Sequence, residues 1–135
     1  MLFRSGYGAI EGFLRDDGQA VVSSDLQSGQ DALLWQPEAW DIAVTNPPWS
    51  LKGEFLERFY ALDKPFAFLL PCDLVNGKRT ALFAKHGVQL IVPSRRVRYM
   101  RFDGEKPAEA ASPNTGSAWF CYKLNLPRDL IFVVC

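Results

Sequence analysis

Short apolar runs alternate with segments of helical periodicity along most of the chain. Each run is four to six residues long and is bounded by glycine, proline or polar residues. Runs of this length that are rich in β-branched and aromatic residues are typical of buried strands. We therefore predict strands at residues 19–24, 42–45, 66–70 and 88–92.

Apolar residues recur at helical spacing in the segments between these strands. The pattern predicts a short helix at residues 9–16, a longer helix at residues 51–62, and a third helix that ends at Gly87. Phe55 and Phe59 fall on one side of the second helix, so we expect both in the core.

The last third of the chain has a different pattern. Residues 97–102 alternate in type and predict a strand, whereas residues 103–115, rich in Pro, Ala, Glu and Ser, predict a flexible loop. Two further apolar segments, residues 117–124 and 130–134, flank the polar connection 125–129. We predict that they pair as a C-terminal antiparallel hairpin.

The order of strands and helices predicts an α/β fold with three layers and a mainly parallel sheet. A length of 135 residues, 48% of them hydrophobic, suits a single domain spanning residues 1–135. The sequence contains no apolar run of membrane-spanning length, and residues 1–18 lack the pattern of a signal peptide. We therefore expect a cytoplasmic protein without a membrane partner.

The number and spacing of cysteine and histidine residues indicate whether disulfides or a zinc site are to be expected. The three cysteines, Cys72, Cys121 and Cys135, are far apart, and His86 is the one histidine. This pattern predicts neither a disulfide framework nor a zinc site. We expect no metal.

Charge is unevenly distributed although the formal net charge is zero. Residues 1–70 contain five basic and ten acidic groups, a net −5, and residues 71–135 contain ten basic and five acidic groups, a net +5. The densest basic segment contains Arg95, Arg96, Arg98 and Arg101. Such a segment suits contact with a polyanion, and it equally suits a solvated strand and loop.

Asn46-Pro47-Pro48-Trp49 follows the predicted strand 42–45 directly, and we call these four residues the Asn-Pro-Pro-Trp corner. Proline has a fixed φ and no amide hydrogen, so the strand must end here. The corner therefore places an amide, backbone carbonyls and an aromatic ring beyond the carboxyl end of a strand, which is where ligands bind in open α/β sheets. The plainer alternative is a turn that only ends the strand.

Asn-Pro-Pro-aromatic after an apolar strand resembles the catalytic motif of S-adenosylmethionine-dependent methyltransferases. The chain most resembles the adenine-N6 DNA methyltransferases of bacteria and their phages, and the resemblance spans nearly the whole chain. It implies a Rossmann-like fold, S-adenosylmethionine as cofactor and DNA as substrate. It assigns catalysis to Asn46, Pro47, Pro48 and Trp49, DNA binding to the four arginines above, and cofactor binding to Gly6 and Gly8 (methionine side), Asp25 (ribose) and Asp31 (adenine).

The residue types of the corner suit this chemistry. An exocyclic amine is a poor nucleophile because its lone pair is delocalised into the ring. The Asn46 side-chain oxygen and the Pro47 carbonyl would orient the amine and stabilise the positive charge that develops on it. The Trp49 ring would stack on a base extruded from the duplex.

The sequence departs from the family at its beginning. Leu2, Phe3 and Arg4 stand where the family has a full strand, so we expect a first strand that is short or missing, as in a chain truncated at its N-terminus. A truncated, non-catalytic domain that binds nucleic acid or a partner is therefore one alternative. Another is a methyltransferase that acts on an RNA base or on a protein glutamine amide.

Overall fold

The computed structural model describes residues 2–4, 9–24, 29–103, 106–109 and 115–135, with the backbone alone for residues 2–4, 100–103 and 106–109. In these ranges the helices are α1 (Ala9–Asp16), α2 (Lys52–Ala61) and α3 (Thr80–His86). Two 3-10 turns occupy Trp49–Leu51 and Cys72–Val75. The strands are β1 (Leu2–Arg4), β2 (Val22–Ser24), β3 (Ala43–Thr45), β4 (Phe66–Pro71), β5 (Gln89–Pro93), β6 (Met100–Asp103), β7 (Lys106–Glu109), β8 (Ser117–Tyr122) and β9 (Leu130–Val133).

Seven of these strands form one mixed sheet in the order β2-β1-β3-β4-β8-β5-β9. All neighbours pair in parallel except β8, which is antiparallel to both β4 and β5. The predicted α/β class with a mainly parallel sheet is confirmed. The first strand is present but only three residues long, and it lies between β2 and β3.

One face of the sheet packs against α2 and α3 to form the core. Phe66 and Phe68 of β4 are fully buried and stack with ring centroids 4.4 Å apart. Phe59 of α2 meets Phe68 edge-on at 5.0 Å, and Phe55 lies 6.1 Å from Phe59. The prediction that Phe55 and Phe59 belong to the core is confirmed.

The opposite face is covered more thinly, by α1. The helix has no buried residue, and its Phe13 is 73% exposed. An apolar cavity of about 360 Å³ separates α1 from the sheet and is lined by Ala9, Ile10, Phe13, Leu14, Val44 and Trp119. Helices therefore contact both faces of the sheet, which gives the three layers that the element order predicts.

The predicted C-terminal hairpin is wrong, because β8 and β9 do not pair. They run in opposite directions, but β5 lies between them, antiparallel to β8 and parallel to β9. The connection 123–129 is long enough to cross the end of one intervening strand. The Gln89 side chain of β5 binds this connection, accepting a hydrogen bond from Leu126 N at 3.0 Å and donating to Leu126 O at 3.2 Å.

The predicted flexible loop at residues 103–115 is also partly wrong. β7 lies within it and pairs antiparallel with β6, so that Met100 is opposite Glu109 and Asp103 is opposite Lys106. The high content of proline and small residues in this segment hid the strand, since sequence pattern reports local preference whereas strand pairing is a tertiary property.

Candidate functional site

The carboxyl ends of six strands lie at one end of the sheet. β1, β2, β3 and β4 run in the same direction, β5 shares it because β8 is antiparallel to both β4 and β5, and β9 is parallel to β5. The chain passes from β1 to β2 on one side and then crosses to β3 on the other side of β1. The order of the strands thus reverses between β1 and β3, and open α/β sheets bind ligands at such a switch point.

The Asn-Pro-Pro-Trp corner begins at this point. β3 ends at Thr45, as the prolines predict, and the fully buried Pro47 anchors the corner to the interior. Pro48 is extended, with φ −57° and ψ 127°, and the chain then enters the 3-10 turn that leads into α2. The corner is therefore fixed on both sides, by a sheet strand before it and by a helix after it.

Two buried oxygens at the end of β3 have no hydrogen-bond partner among the residues that the structure describes. They are Thr45 Oγ1 and Asn46 Oδ1. The Thr45 side chain is only 2% exposed, whereas Asn46 as a whole is partly exposed. A buried polar atom left unpaired costs about 1–3 kcal/mol, and native structures contain few of them. Both of these atoms lie at the switch point of the sheet.

The Trp49 ring is held by a residue that the sequence prediction missed. Tyr99 meets it edge-on, with ring centroids 5.4 Å apart and an interplanar angle of 83°. The Tyr99 hydroxyl donates a 2.6 Å hydrogen bond to Oγ of Ser117, the buried first residue of β8. Burial raises the pKa of the Tyr99 phenol, so this hydroxyl keeps its proton at neutral pH. No local signal marks the contact, because it joins residues 50 positions apart through the order of the strands.

Three of the four predicted DNA-binding arginines follow a strand that ends at this same end of the sheet. Arg95, Arg96 and Arg98 are exposed and follow the carboxyl end of β5, in the segment that leads to Tyr99. Arg101 lies in β6, where the backbone alone is described. The structure thus connects the basic segment to the Asn-Pro-Pro-Trp corner through the Tyr99–Trp49 contact.

Two further cations lie beside the corner and were not predicted as site residues. Lys52 Nζ donates a 2.8 Å hydrogen bond to the Trp49 carbonyl. The Arg79 guanidinium lies against Gly53 in the first turn of α2, so closely that a Cβ at position 53 would stand 2.5 Å from Arg79 Nη2. The sequence signal was Asn76-Gly77-Lys78-Arg79 after β4, although the approach to Gly53 depends on tertiary structure.

Of the predicted cofactor-binding residues, the structure describes one. Asp31 is partly exposed, and its Oδ1 accepts a 2.9 Å hydrogen bond from Leu33 N, which fixes the turn that follows. Gly6 and Gly8 follow β1 in sequence and Asp25 follows β2, but all three lie outside the described residues. Their role stays a prediction.

Neither a metal group nor a membrane helix is found in the described parts of the chain. There, no cluster of three or more His, Cys, Asp or Glu side chains is placed to hold a metal ion. Among the same residues, no helix combines the length and the apolar character needed to cross a membrane.

In the comparisons with known proteins, no family model, no curated protein and no solved structure matches the chain.

Proposed function

We propose that the chain is an S-adenosylmethionine-dependent methyltransferase that acts on the exocyclic N6 amine of adenine in DNA. The observation that carries the proposal is the Asn46 side-chain oxygen, which is unpaired directly after β3 at the switch point of the sheet. The strand order supports a Rossmann-like methyltransferase fold, since the family resemblance implies an interior first strand and β1 lies between β2 and β3.

The described residues fit a cofactor with an adenosyl group. When bound, S-adenosylmethionine supplies a methyl group on a positively charged sulfur. Asp31 uses only Oδ1 for its turn, and the neighbouring Leu34 is 83% exposed, so a carboxylate oxygen and an apolar surface are both available to an adenine ring. By resemblance, Gly6, Gly8 and Asp25 would hold the rest of the cofactor.

Asn46 and Pro47 would orient the amine. The last torsion of an asparagine side chain is broad and roughly twofold, so rotation brings Oδ1 of the partly exposed Asn46 toward the crevice. Oδ1 and the Pro47 carbonyl would then accept the two hydrogens of the amine and stabilise the positive charge that develops on its nitrogen. A preorganised charge-stabilising group of this kind typically contributes about 10²–10³ to turnover.

Trp49 would bind the base itself. Stacking on an aromatic side chain is worth about 1–3 kcal/mol per base, which offsets part of the cost of extruding the base from the duplex. The contact with Tyr99 fixes the orientation of the ring before the base arrives. A flat aromatic ring favours a base over the flexible side chain of glutamine.

The test is transfer of a labelled methyl group from S-adenosylmethionine to adenine-containing duplex DNA, with RNA and a glutamine peptide as parallel acceptors. We expect transfer to DNA, and a loss of about a hundredfold or more in turnover for Asn46→Ala. Gln19→Ala is the matched control and should retain wild-type turnover. Gln19 is an exposed amide just before the amino end of β2, at the end of the sheet away from the corner.

Calorimetric titration with S-adenosylmethionine accompanies the assay. A chain that binds the cofactor but transfers no methyl group to DNA contradicts the proposal. Transfer to RNA or to glutamine instead identifies one of the other acceptors. A chain that does not bind the cofactor is the non-catalytic domain that the short first strand suggested.

A further inference from the structure

Arg79 differs from the other arginines whose side chains are described, because it is partly covered and yet unpaired. Arg15 binds Glu11 and the Val21 carbonyl, and Arg58 binds the Ala32 carbonyl and Gln36. Arg95, Arg96, Arg98 and Arg128 are exposed, as is the paired Arg15. In the described part of the chain, no hydrogen bond or ion pair involves the Arg79 guanidinium.

The Arg79 guanidinium packs closely against the start of α2. It lies against the main chain of Gly53, where a hypothetical Cβ would be 2.5 Å from Nη2, 3.2 Å from Nε and 3.3 Å from Cζ. A glycine in the first turn of α2 makes this approach possible. None of the five donors of the group has a partner in the described structure, which favours an anion that can accept two of them at once.

The position of Arg79 relates it to the Asn-Pro-Pro-Trp corner. Gly53 lies four residues beyond Trp49, in the first turn of α2, which the 3-10 turn at Trp49–Leu51 leads into. Lys52 is bound to the Trp49 carbonyl at 2.8 Å, so a second positive charge lies between them in sequence. The exposed acids on the neighbouring elements are Glu54 and Glu57 of α2 and Asp73 of the 3-10 turn after β4, and none of them forms an ion pair with Arg79 in the described structure.

We infer that Arg79, with Lys52 beside it, binds a backbone phosphate of the nucleic-acid strand whose base enters the corner. A base stacked on Trp49 carries phosphates on both sides of its sugar, and the two cations lie at the start of the helix that follows Trp49, Lys52 on the Trp49 carbonyl and Arg79 against Gly53. The planar guanidinium matches the geometry of phosphate oxygens. The inference rests on the proposed function because it takes nucleic acid as the acceptor. DNA binding can nevertheless be measured by itself, without methyl transfer.

The experiment measures binding of a fluorescein-labelled, adenine-containing DNA duplex by anisotropy at several salt concentrations. A single lost phosphate contact lowers the slope of log K against log [salt] by about 0.9. We expect this loss for Arg79→Gln, with weaker binding to every sequence. Arg128→Gln is the matched control and should leave the slope unchanged. It removes the same charge from the exposed segment just before the amino end of β9, at the end of the sheet away from the corner.

A second variant keeps the charge and displaces the group. Gly53→Ala places a methyl group 2.5 Å from Nη2, too close for both to stay, so the guanidinium must move while net charge and helix remain. We expect weaker DNA binding in this variant as well, with urea unfolding showing that Gly53→Ala and Arg79→Gln are folded. An unchanged slope in Arg79→Gln, an equal loss in Arg128→Gln, or no DNA binding by the wild type overturns the inference.

Two comparisons separate this inference from the proposed function. Methyl transfer to DNA together with an unchanged slope in Arg79→Gln overturns the phosphate contact alone. An Arg79-dependent slope without methyl transfer overturns the methyltransferase and leaves the contact. A polyglutamate peptide that competes as well as DNA at equal charge indicates a carboxylate ligand and overturns the nucleic-acid assignment.

Discussion

The contact between Trp49 and Tyr99 gives a quantitative test of the site geometry. The two rings meet edge-on at 5.4 Å and 83°, and aromatic pairs of this geometry contribute about 0.5–1.5 kcal/mol beyond the area that they bury. A double-mutant cycle of Trp49→Leu, Tyr99→Leu and the double variant isolates this coupling. We expect a coupling free energy of about 1 kcal/mol.

Tyr99→Phe is the control that separates the ring from its hydroxyl. It removes the 2.6 Å hydrogen bond to Ser117 and should lower the free energy of unfolding by about 1 kcal/mol. Because the ring remains, the cycle between Trp49→Leu and Tyr99→Phe should show no coupling above the error.

Urea unfolding followed by far-ultraviolet circular dichroism gives all of these free energies, provided that the m-values agree among the variants. Independent sites are additive to within about 0.3–0.5 kcal/mol. A Trp49–Tyr99 coupling inside that limit means that the rings do not hold each other. Tyr99 then has no part in orienting Trp49.

Three further predictions concern the thiols, the core and the strand crossing. Burial raises the pKa of the Cys121 thiol to about 11. Iodoacetamide at neutral pH should therefore alkylate the exposed Cys135 and leave Cys121 unmodified until the chain unfolds, as mass spectrometry would show. Because the folded Cys121 keeps its proton to higher pH than the unfolded one, the free energy of unfolding should also fall as the pH rises toward 11. Phe68→Ala should cost about 3–5 kcal/mol in urea unfolding, since the ring is fully buried, and Phe13→Ala, which truncates a ring that is 73% exposed, should cost much less; equal costs would contradict the assignment of the core to one face. Gln89→Ala should increase the rate of amide hydrogen exchange in the connection 123–129 with little change in β4. An equal increase in the connection and in β4 would contradict a local role for this side chain.

Sequence pattern was sufficient for the elements with strong local signals. β4 is a continuous apolar run that begins after Pro65 and ends with Pro71, and α2 carries Phe55 and Phe59 on one side, so both were predicted within one or two residues. β3 was predicted because two prolines end it. In each case the residues that determine the element are neighbours in the sequence.

The features that sequence pattern missed all depend on which strands become neighbours. β9 pairs with β5 rather than with β8, because β5 enters between two segments that would suit a hairpin on their own. The contacts of Tyr99 with Trp49 and of Arg79 with Gly53 follow from the same sheet order. The corner was predicted as a site from its residue types, whereas the aromatic and cationic groups around it required the structure.

The direction of β8 has a consequence for how the site can vary. In a parallel strand the residue nearest the crevice is the last one, but in β8 it is the first, Ser117, opposite Pro71 of β4. The chain therefore passes the rim of the site before it enters the sheet at this strand. Substitutions at Thr115 and Gly116, directly ahead of Ser117, would therefore change the border of the candidate site and leave the pairing of β8 intact.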